Sequence, residues 1–257
     1  MNEIIHIKND NYSEYEQLLL TRDNLKKEAV QIKMNYIAIF GDMLTELFEK
    51  NIECIKKKKL LHYYQLHINK GLEIDERAIL KLLEEELAEY YKKLDEMIVE
   101  NEAAHGMREA DIAHVAKVKK LYRKLAKLIH PDINPKTDEI KQLRELWDRI
   151  QICYNSNNLN ELMELEVLVM RVLEEHDISS ISIDIPDIGE KIERLGEEIE
   201  KIKSTNPYLY KYLLADEKKI EERKKEIEDS LKEYIEYSEQ LDEIIEDIRG
   251  GSVWHMS

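Results

Sequence analysis

Glycine and proline are both scarce in this chain. Its 257 residues include only 7 Gly and 4 Pro, fewer than an ordinary globular domain of this length would contain. These two residues supply most tight turns and helix ends, so the sequence offers few places to turn. It is also 37% charged. The composition therefore predicts mostly helix, in long solvated pieces.

Cysteines and long apolar runs are also rare. Cys54 and Cys153 are the only cysteines, and they lie too far apart to suggest a metal-ligand pair. Two free, buried thiols are typical of a reducing compartment. No stretch reaches the roughly 18 apolar residues of a membrane span, and the first residues do not resemble a signal peptide. We expect a soluble cytoplasmic protein without a membrane partner.

Positive charge is in deficit. The chain has 55 acidic and 39 basic residues, a formal net charge of -16. An acidic field repels the phosphates of nucleic acids, so we expect no nucleic-acid partner unless basic residues are strongly concentrated. One such concentration exists, and it is described below.

The first hundred residues have the periodicity of helices. Apolar residues recur every three or four positions from Tyr12 onward, which is the spacing of one helical face. Gly41 is interpreted as a weak spot rather than an end, Gly71 as a C-terminal cap and Asp75 as the next N-cap. Two long helices joined at residues 69–74 should form an antiparallel hairpin. Residues 101–106 are interpreted as a break.

The last third shows heptad-like seams at residues 188–202 and 220–248, separated by a break at 204–207. They predict an acidic coiled-coil hairpin, although such seams can be satisfied within one chain or between two copies. A short strand is predicted where Ile181, Ile183 and Ile185 alternate with polar residues. Its proposed partner strand contains Ile4, Ile5 and Ile7.

These patterns predict an all-α, elongated fold with three domains. Residues 1–103 form an N-terminal helical hairpin, residues 104–176 a central helical domain, and residues 177–257 the C-terminal acidic hairpin.

The helix predicted to end near Ile129 has two chemically different faces. Its apolar residues recur at four, three and four positions, and its lysines recur at three, four and three on the other side. The apolar residues are Val118, Tyr122, Leu125 and Ile129, and the lysines are Lys117, Lys120, Lys124 and Lys127.

Pro131 ends this helix, because its ring disfavours helical geometry at His130. We therefore expect His130 and Asp132 to be exposed at a stiff corner beside the lysines. A helix from about Glu139 to Tyr154 should then pack back on Tyr122 and Leu125, and residues 159–175 should form one more helix. The packing face of the returning helix is Trp147, Ile150, Cys153 and Tyr154.

Together these features resemble helices two and three of the J domain of DnaJ-type co-chaperones. The resemblance consists of a basic Tyr-Arg-Lys-Leu-Ala helix, a His-Pro-Asp loop, and a helix carrying an aromatic, an Ile, a small residue and a Tyr. It covers about residues 118–155 and implies an antiparallel hairpin. The usual first J-domain helix is missing before it, so we expect the preceding long helix, which begins after Asp75, to pack in that place.

The resemblance also implies a function. In that family the cationic helix docks on the acidic nucleotide-binding domain of the seventy-kilodalton heat-shock chaperone, and the loop stimulates ATP hydrolysis. His130, Pro131 and Asp132 would take the loop role. The docking role would fall to Lys119, Lys120, Arg123, Lys124 and Lys127. The flanking hairpins would supply client or location specificity.

The alternative to a co-chaperone is a coiled-coil scaffold or oligomerisation protein whose J-like hairpin no longer stimulates an ATPase. An enzyme is not expected, because the chain has no nucleophile at a motif spacing and no glycine-rich phosphate loop. His62 and His67 lack metalloprotease spacing, and no metal or cofactor is expected.

Overall fold

The structure is a computed structural model that describes residues 3–106, 112–176 and 187–250. Within those ranges every regular element is a helix, so the all-α prediction is confirmed. The elements, in chain order, are α1 (Glu3–Asn69), α2 (Glu76–Gly106), α3 (Ile112–Ile129), α4 (Pro135–Asp138), α5 (Lys141–Asn155), α6 (Leu159–Glu175), α7 (Ile188–Ser204), α8 (Tyr210–Leu214) and α9 (Glu217–Arg249).

Three helix boundaries lie where the sequence predicted them. Gly71 has φ +64°, a left-handed conformation that glycine adopts at little cost. The Asp75 carboxylate accepts a hydrogen bond from the Ala78 N–H at 3.0 Å, so Asp75 is the N-cap of α2. α3 ends at Ile129, just before the His-Pro pair.

Two local predictions are wrong. Residues 101–106 are not a break, because α2 continues to Gly106. Ile4, Ile5 and Ile7 cannot form a strand, because they lie in α1. The strand predicted at Ile181–Ile185 lies outside the described residues.

Packing divides the chain into two units. One consists of Met1–Gln31 with Arg108–Tyr208, and the other of Ile32–Met107 with Leu209–Ser257. Each is assembled from segments that are distant in sequence, whereas the three predicted domains are continuous segments.

The core of the first unit is built on α3, α5 and α6. Their apolar faces form one buried cluster that Leu20 of α1 joins. A neighbouring cluster links Tyr15 and Leu19 of α1 to Ile133 of the loop and Leu195 of α7. Within the α7 seam, Leu195 and the partly buried Ile188 and Ile192 therefore pack against α1 and the loop that follows α3.

The second unit packs α1 against α2 and α9. Leu60 and Tyr64 of α1 share a core with Leu83 of α2 and Ile245 of α9. Lys33 pairs with Glu100 and Lys59 with Glu86, so positions that advance along α1 recede along α2. This order confirms that α1 and α2 run antiparallel within this unit.

Candidate functional site

The predicted hairpin is present in the first unit and is formed by α3 and α5. The Tyr122 and Tyr154 rings stack with centroids 3.8 Å apart, and the His130 ring meets Trp147 edge-on at 4.7 Å. Because positions that advance along α3 recede along α5, the two helices are antiparallel. Their packing faces are those predicted from the sequence.

The helix that packs on the hairpin within the first unit is α1, around residues 23–27, whereas the immediately preceding helix α2, which was expected there, belongs to the second unit. The Tyr122 hydroxyl donates to Asp23 Oδ2 at 2.7 Å, and the Tyr154 hydroxyl donates to Asn24 Oδ1 at 2.6 Å. Lys27 Nζ donates to the Tyr154 carbonyl at 2.6 Å. Hydrogen bonds to buried tyrosines therefore fasten α1 to the hairpin.

Lys27 shows how closely α1 is seated. Its ammonium lies 3.9 Å from the centroid of the Tyr154 ring, within the range of a cation–π contact. Burial, and secondarily repulsion from Lys119, lower the pKa of Lys27 to about 8.

The corner after α3 is stiffened by its own hydrogen bonds. The His130 carbonyl accepts from the N–H groups of Ile133 at 3.0 Å and Asn134 at 2.7 Å. Asn134 Nδ2 donates to the Leu128 carbonyl at 2.8 Å. Together with Pro131, these bonds restrict the positions available to the loop backbone.

His130 does not lie where the sequence predicted. It is only 4% exposed, so its expected exposure at the corner is wrong. Its Nδ1 accepts a hydrogen bond from the Asp132 N–H at 3.0 Å, and its Nε2 lies 3.8 Å from Asp23. The side chain turns inward because Trp147 and α1 provide a packed site for the ring. The buried ring of His130 therefore holds the Asp132 N–H in place.

The surroundings of His130 favour the neutral ring. Burial lowers its pKa below the ordinary value, although Asp23 and Asp132 act in the opposite direction. A neutral Nδ1 can accept the Asp132 N–H, whereas a protonated one cannot.

Asp132 is the loop residue with the greatest access to solvent. Its side chain is 52% exposed, and its Oδ2 lies 4.0 Å from Arg22 Nη1. Arg22 also pairs with Asp23 at 2.9 Å and lies 3.8 Å from Glu198 of α7. Pro131 is partly exposed. The Asp132 carboxylate is thus half-exposed, and it lies near Arg22, which also contacts two other carboxylates.

The predicted basic residues are brought together on the outer side of α3. We call the exposed residues Lys120, Lys124 and Lys127 the lysine row. They line one shallow concavity with Lys119 and Arg123. Arg123 is exposed and Lys119 is half-buried.

Two members of the lysine row already have acidic partners. Lys124 lies 2.5 Å from Glu166 of α6, and Lys127 lies 2.6 Å from Glu16 of α1. Both lysines remain largely exposed. Their partners are largely covered, with 25% of the Glu166 side chain and 14% of the Glu16 side chain exposed, so a docking partner would approach the lysines from their solvent side.

Sequence reasoning missed Arg22 and Asp23. Both are ordinary charged residues in a long helix, and their contacts join segments about a hundred residues apart. One feature of the sequence could have pointed to this part of α1. Asp23 and Lys27 are four positions apart and therefore share one helix face, and that face lies close to the buried Leu19 and Leu20.

Two other features bear on candidate sites and partners. Among the described residues, no cluster of His, Cys, Asp or Glu side chains could hold a metal ion. None of the helices in those ranges combines the length and apolar character needed to cross a membrane.

Comparison of the chain with models of protein families, with curated proteins and with solved structures finds no match. The resemblance to the J domain therefore depends on the residues of the hairpin themselves.

Proposed function

We propose that this protein is a J-like co-chaperone. It docks on a seventy-kilodalton heat-shock chaperone through the lysine row and stimulates the chaperone's ATPase through Asp132. The observation that carries the proposal is an exposed cationic helix face that ends at a stiff corner with a half-exposed carboxylate.

The electrostatics support docking on an acidic surface. Net charge -16 makes the lysine row a local exception in an acidic molecule. Complementary charge patches speed encounter and fix orientation. A carboxylate held by a rigid loop can then pair with a single arginine of the partner, which is among the strongest polar contacts.

In this proposal the three loop residues have different roles. Asp132 contacts the partner, Pro131 holds the turn, and His130 places the Asp132 backbone. This division follows from the burial of His130, which leaves its ring little surface for a partner. The protein itself carries out no chemistry, and the hydrolysed bond belongs to the chaperone's ATP.

The test is ATP hydrolysis by a purified heat-shock chaperone of this class with the full chain added. We expect wild type to stimulate hydrolysis and Asp132→Asn to reduce the stimulation about tenfold or more, the cost of a charge-assisted hydrogen bond. The matched control is Asp148→Asn, an exposed aspartate on α5, which should behave as wild type. Equal stimulation by Asp132→Asn would refute the loop role.

A second candidate is favoured by a specific observation. His130 is buried and Arg22 lies near Asp132, as in a loop kept only for its packing. The protein would then be a helical scaffold or oligomerisation protein with a hairpin that does not stimulate. No stimulation by wild type, together with a multimeric mass in solution, would support this candidate over the first.

A further inference from the structure

The outer face of α6 carries an exposed apolar stripe. Met163, Val167 and Met170, which we call the α6 stripe, are separated by four and three positions and therefore share one helix face. Val167 is 68% exposed, and both methionines are exposed as well. A different face of α6, with Leu162, Leu165 and Val169, is buried in the core of the first unit.

Two apolar faces are unusual for a surface helix. A helix in a water-soluble protein normally presents one apolar stripe to the core and polar residues to solvent. A second stripe with large aliphatic and methionine side chains is typical of a surface that a partner covers. Methionine suits this role because its unbranched, polarizable side chain adapts to different partners.

The α6 stripe lies beside the lysine row. Lys124 pairs with Glu166 at 2.5 Å, and the neighbours of Glu166 at i−3 and i+4 are Met163 and Met170. Lys120 and Lys127 stand at i−4 and i+3 from Lys124. One ion pair therefore joins the two rows of side chains.

The two rows also run in the same direction. His114 Nε2 lies 2.8 Å from the Asn157 carbonyl, at the start of α6, and Lys124 meets Glu166 about two and a half turns further along both helices. α3 and α6 are thus parallel. They present a cationic edge and an apolar edge side by side over the same length.

We infer that this surface, formed by the α6 stripe and the lysine row, binds an acidic amphipathic helix of a partner protein. The apolar side of that helix would cover the α6 stripe, as in helix-in-groove recognition. Its acidic flank would face Lys120, Lys124 and Lys127. The charge of the lysine row selects an acidic helix over a basic one.

This inference goes beyond the proposed co-chaperone function, because it requires neither the chaperone nor Asp132. It applies equally if the protein is a scaffold. Its test is therefore made with the full chain and a peptide alone, so its outcome is independent of the ATPase result.

The probe is a fluorescein-labelled helical peptide of three heptads, with leucine at a and d and glutamate at e and g. Binding is measured by fluorescence anisotropy, beside the same peptide with lysine at e and g. We expect the acidic peptide to bind and the basic peptide to bind at least about tenfold more weakly. Val167→Glu and Lys120→Glu should each weaken the acidic peptide about tenfold.

Ile152→Glu is the matched control, because Ile152 is 67% exposed but lies on α5. It should leave peptide binding unchanged, and far-UV circular dichroism should show that all three variants are folded. Equal binding of the acidic and basic peptides, or unchanged binding by Val167→Glu, overturns the inference. A dimeric wild type that Val167→Glu converts to a monomer also overturns it, since a second copy would then occupy the stripe.

Discussion

At the residue scale, His130 differs most from what the sequence suggests. The His-Pro pair predicts correctly that the chain turns, because proline restricts the residue before it. It does not predict the direction of the imidazole, which is set by Trp147 and by α1. A motif of consecutive residues therefore located the loop, while contacts distant in sequence determined the role of each side chain.

The burial of His130 makes stability depend on pH. In the unfolded chain the ring titrates near its ordinary value of 6.5, and burial lowers the pKa in the folded protein. As the pH falls through 6.5 the unfolded state binds more protons, so the contribution of the neutral ring to stability is present above 6.5 and is lost below it.

His130→Asn tests this linkage, since asparagine can still accept the Asp132 N–H but does not titrate. Between about pH 7.5 and pH 5 we expect the free energy of unfolding to fall more steeply for wild type than for the variant. Urea denaturation followed by circular dichroism at several pH values measures both slopes. Parallel curves for the two proteins would show that folding does not lower the pKa of His130.

At the element scale, helix ends were predicted best where a residue has a backbone preference. Gly71 and Asp75 are examples, since a left-handed φ and a side-chain cap depend on local geometry alone. Partners of apolar seams were not predictable in the same way. The period of residues 188–202 shows that one face is buried, but not that it meets Tyr15 and Leu19 of α1.

Gly41 shows why local signals failed between α1 and α2. A Cβ at Gly41 would overlap the Asn101 side chain, with its Cγ at 2.8 Å, so the missing side chain allows Asn101 to approach α1 closely. Asn101 Nδ2 donates to Asp42 Oδ1 at 2.6 Å. This contact helps to keep residues 101–106 helical, although their sequence suggested a break.

The contact predicts coupling in a double-mutant cycle. Gly41→Ala alone should destabilise the protein, because Asn101 must move and lose its bond to Asp42. In an Asn101→Ala background Ile37 Cγ2 still lies 3.0 Å from the added methyl group, but the same substitution should destabilise the protein much less, because the clash with Asn101 is gone and alanine favours the helix over glycine by up to about 1 kcal/mol. Urea denaturation of the four proteins gives the coupling, and equal effects in both backgrounds would mean that the two residues are independent.

At the scale of the whole molecule, charge is the property that the sequence predicts directly. A net charge of -16 needs no coordinates, whereas the position of the lysine row on an exposed helix face depends on which side of α3 is packed. That side was predictable too, because apolar and basic residues alternate with the helical period. The positions of Glu16 and Glu166 near this row were not, since both pairs join separate helices.

The balance between the acidic molecule and its local cationic row predicts selection against nucleic acids. Duplex DNA contacts a protein over many phosphates, and its affinity rises steeply as salt is lowered. At low salt the screening length is also long, about 30 Å at 0.01 M. The conditions that strengthen attraction to the lysine row therefore also strengthen repulsion of the duplex by the rest of the acidic molecule. We therefore expect no change in the anisotropy of a labelled duplex at any salt concentration between about 0.02 M and 0.15 M. Binding at low salt, with a logarithm of the binding constant that falls linearly with the logarithm of salt concentration, would contradict this. In that case the lysine row would be a phosphate-binding surface, and the expected selection against nucleic acids would be wrong.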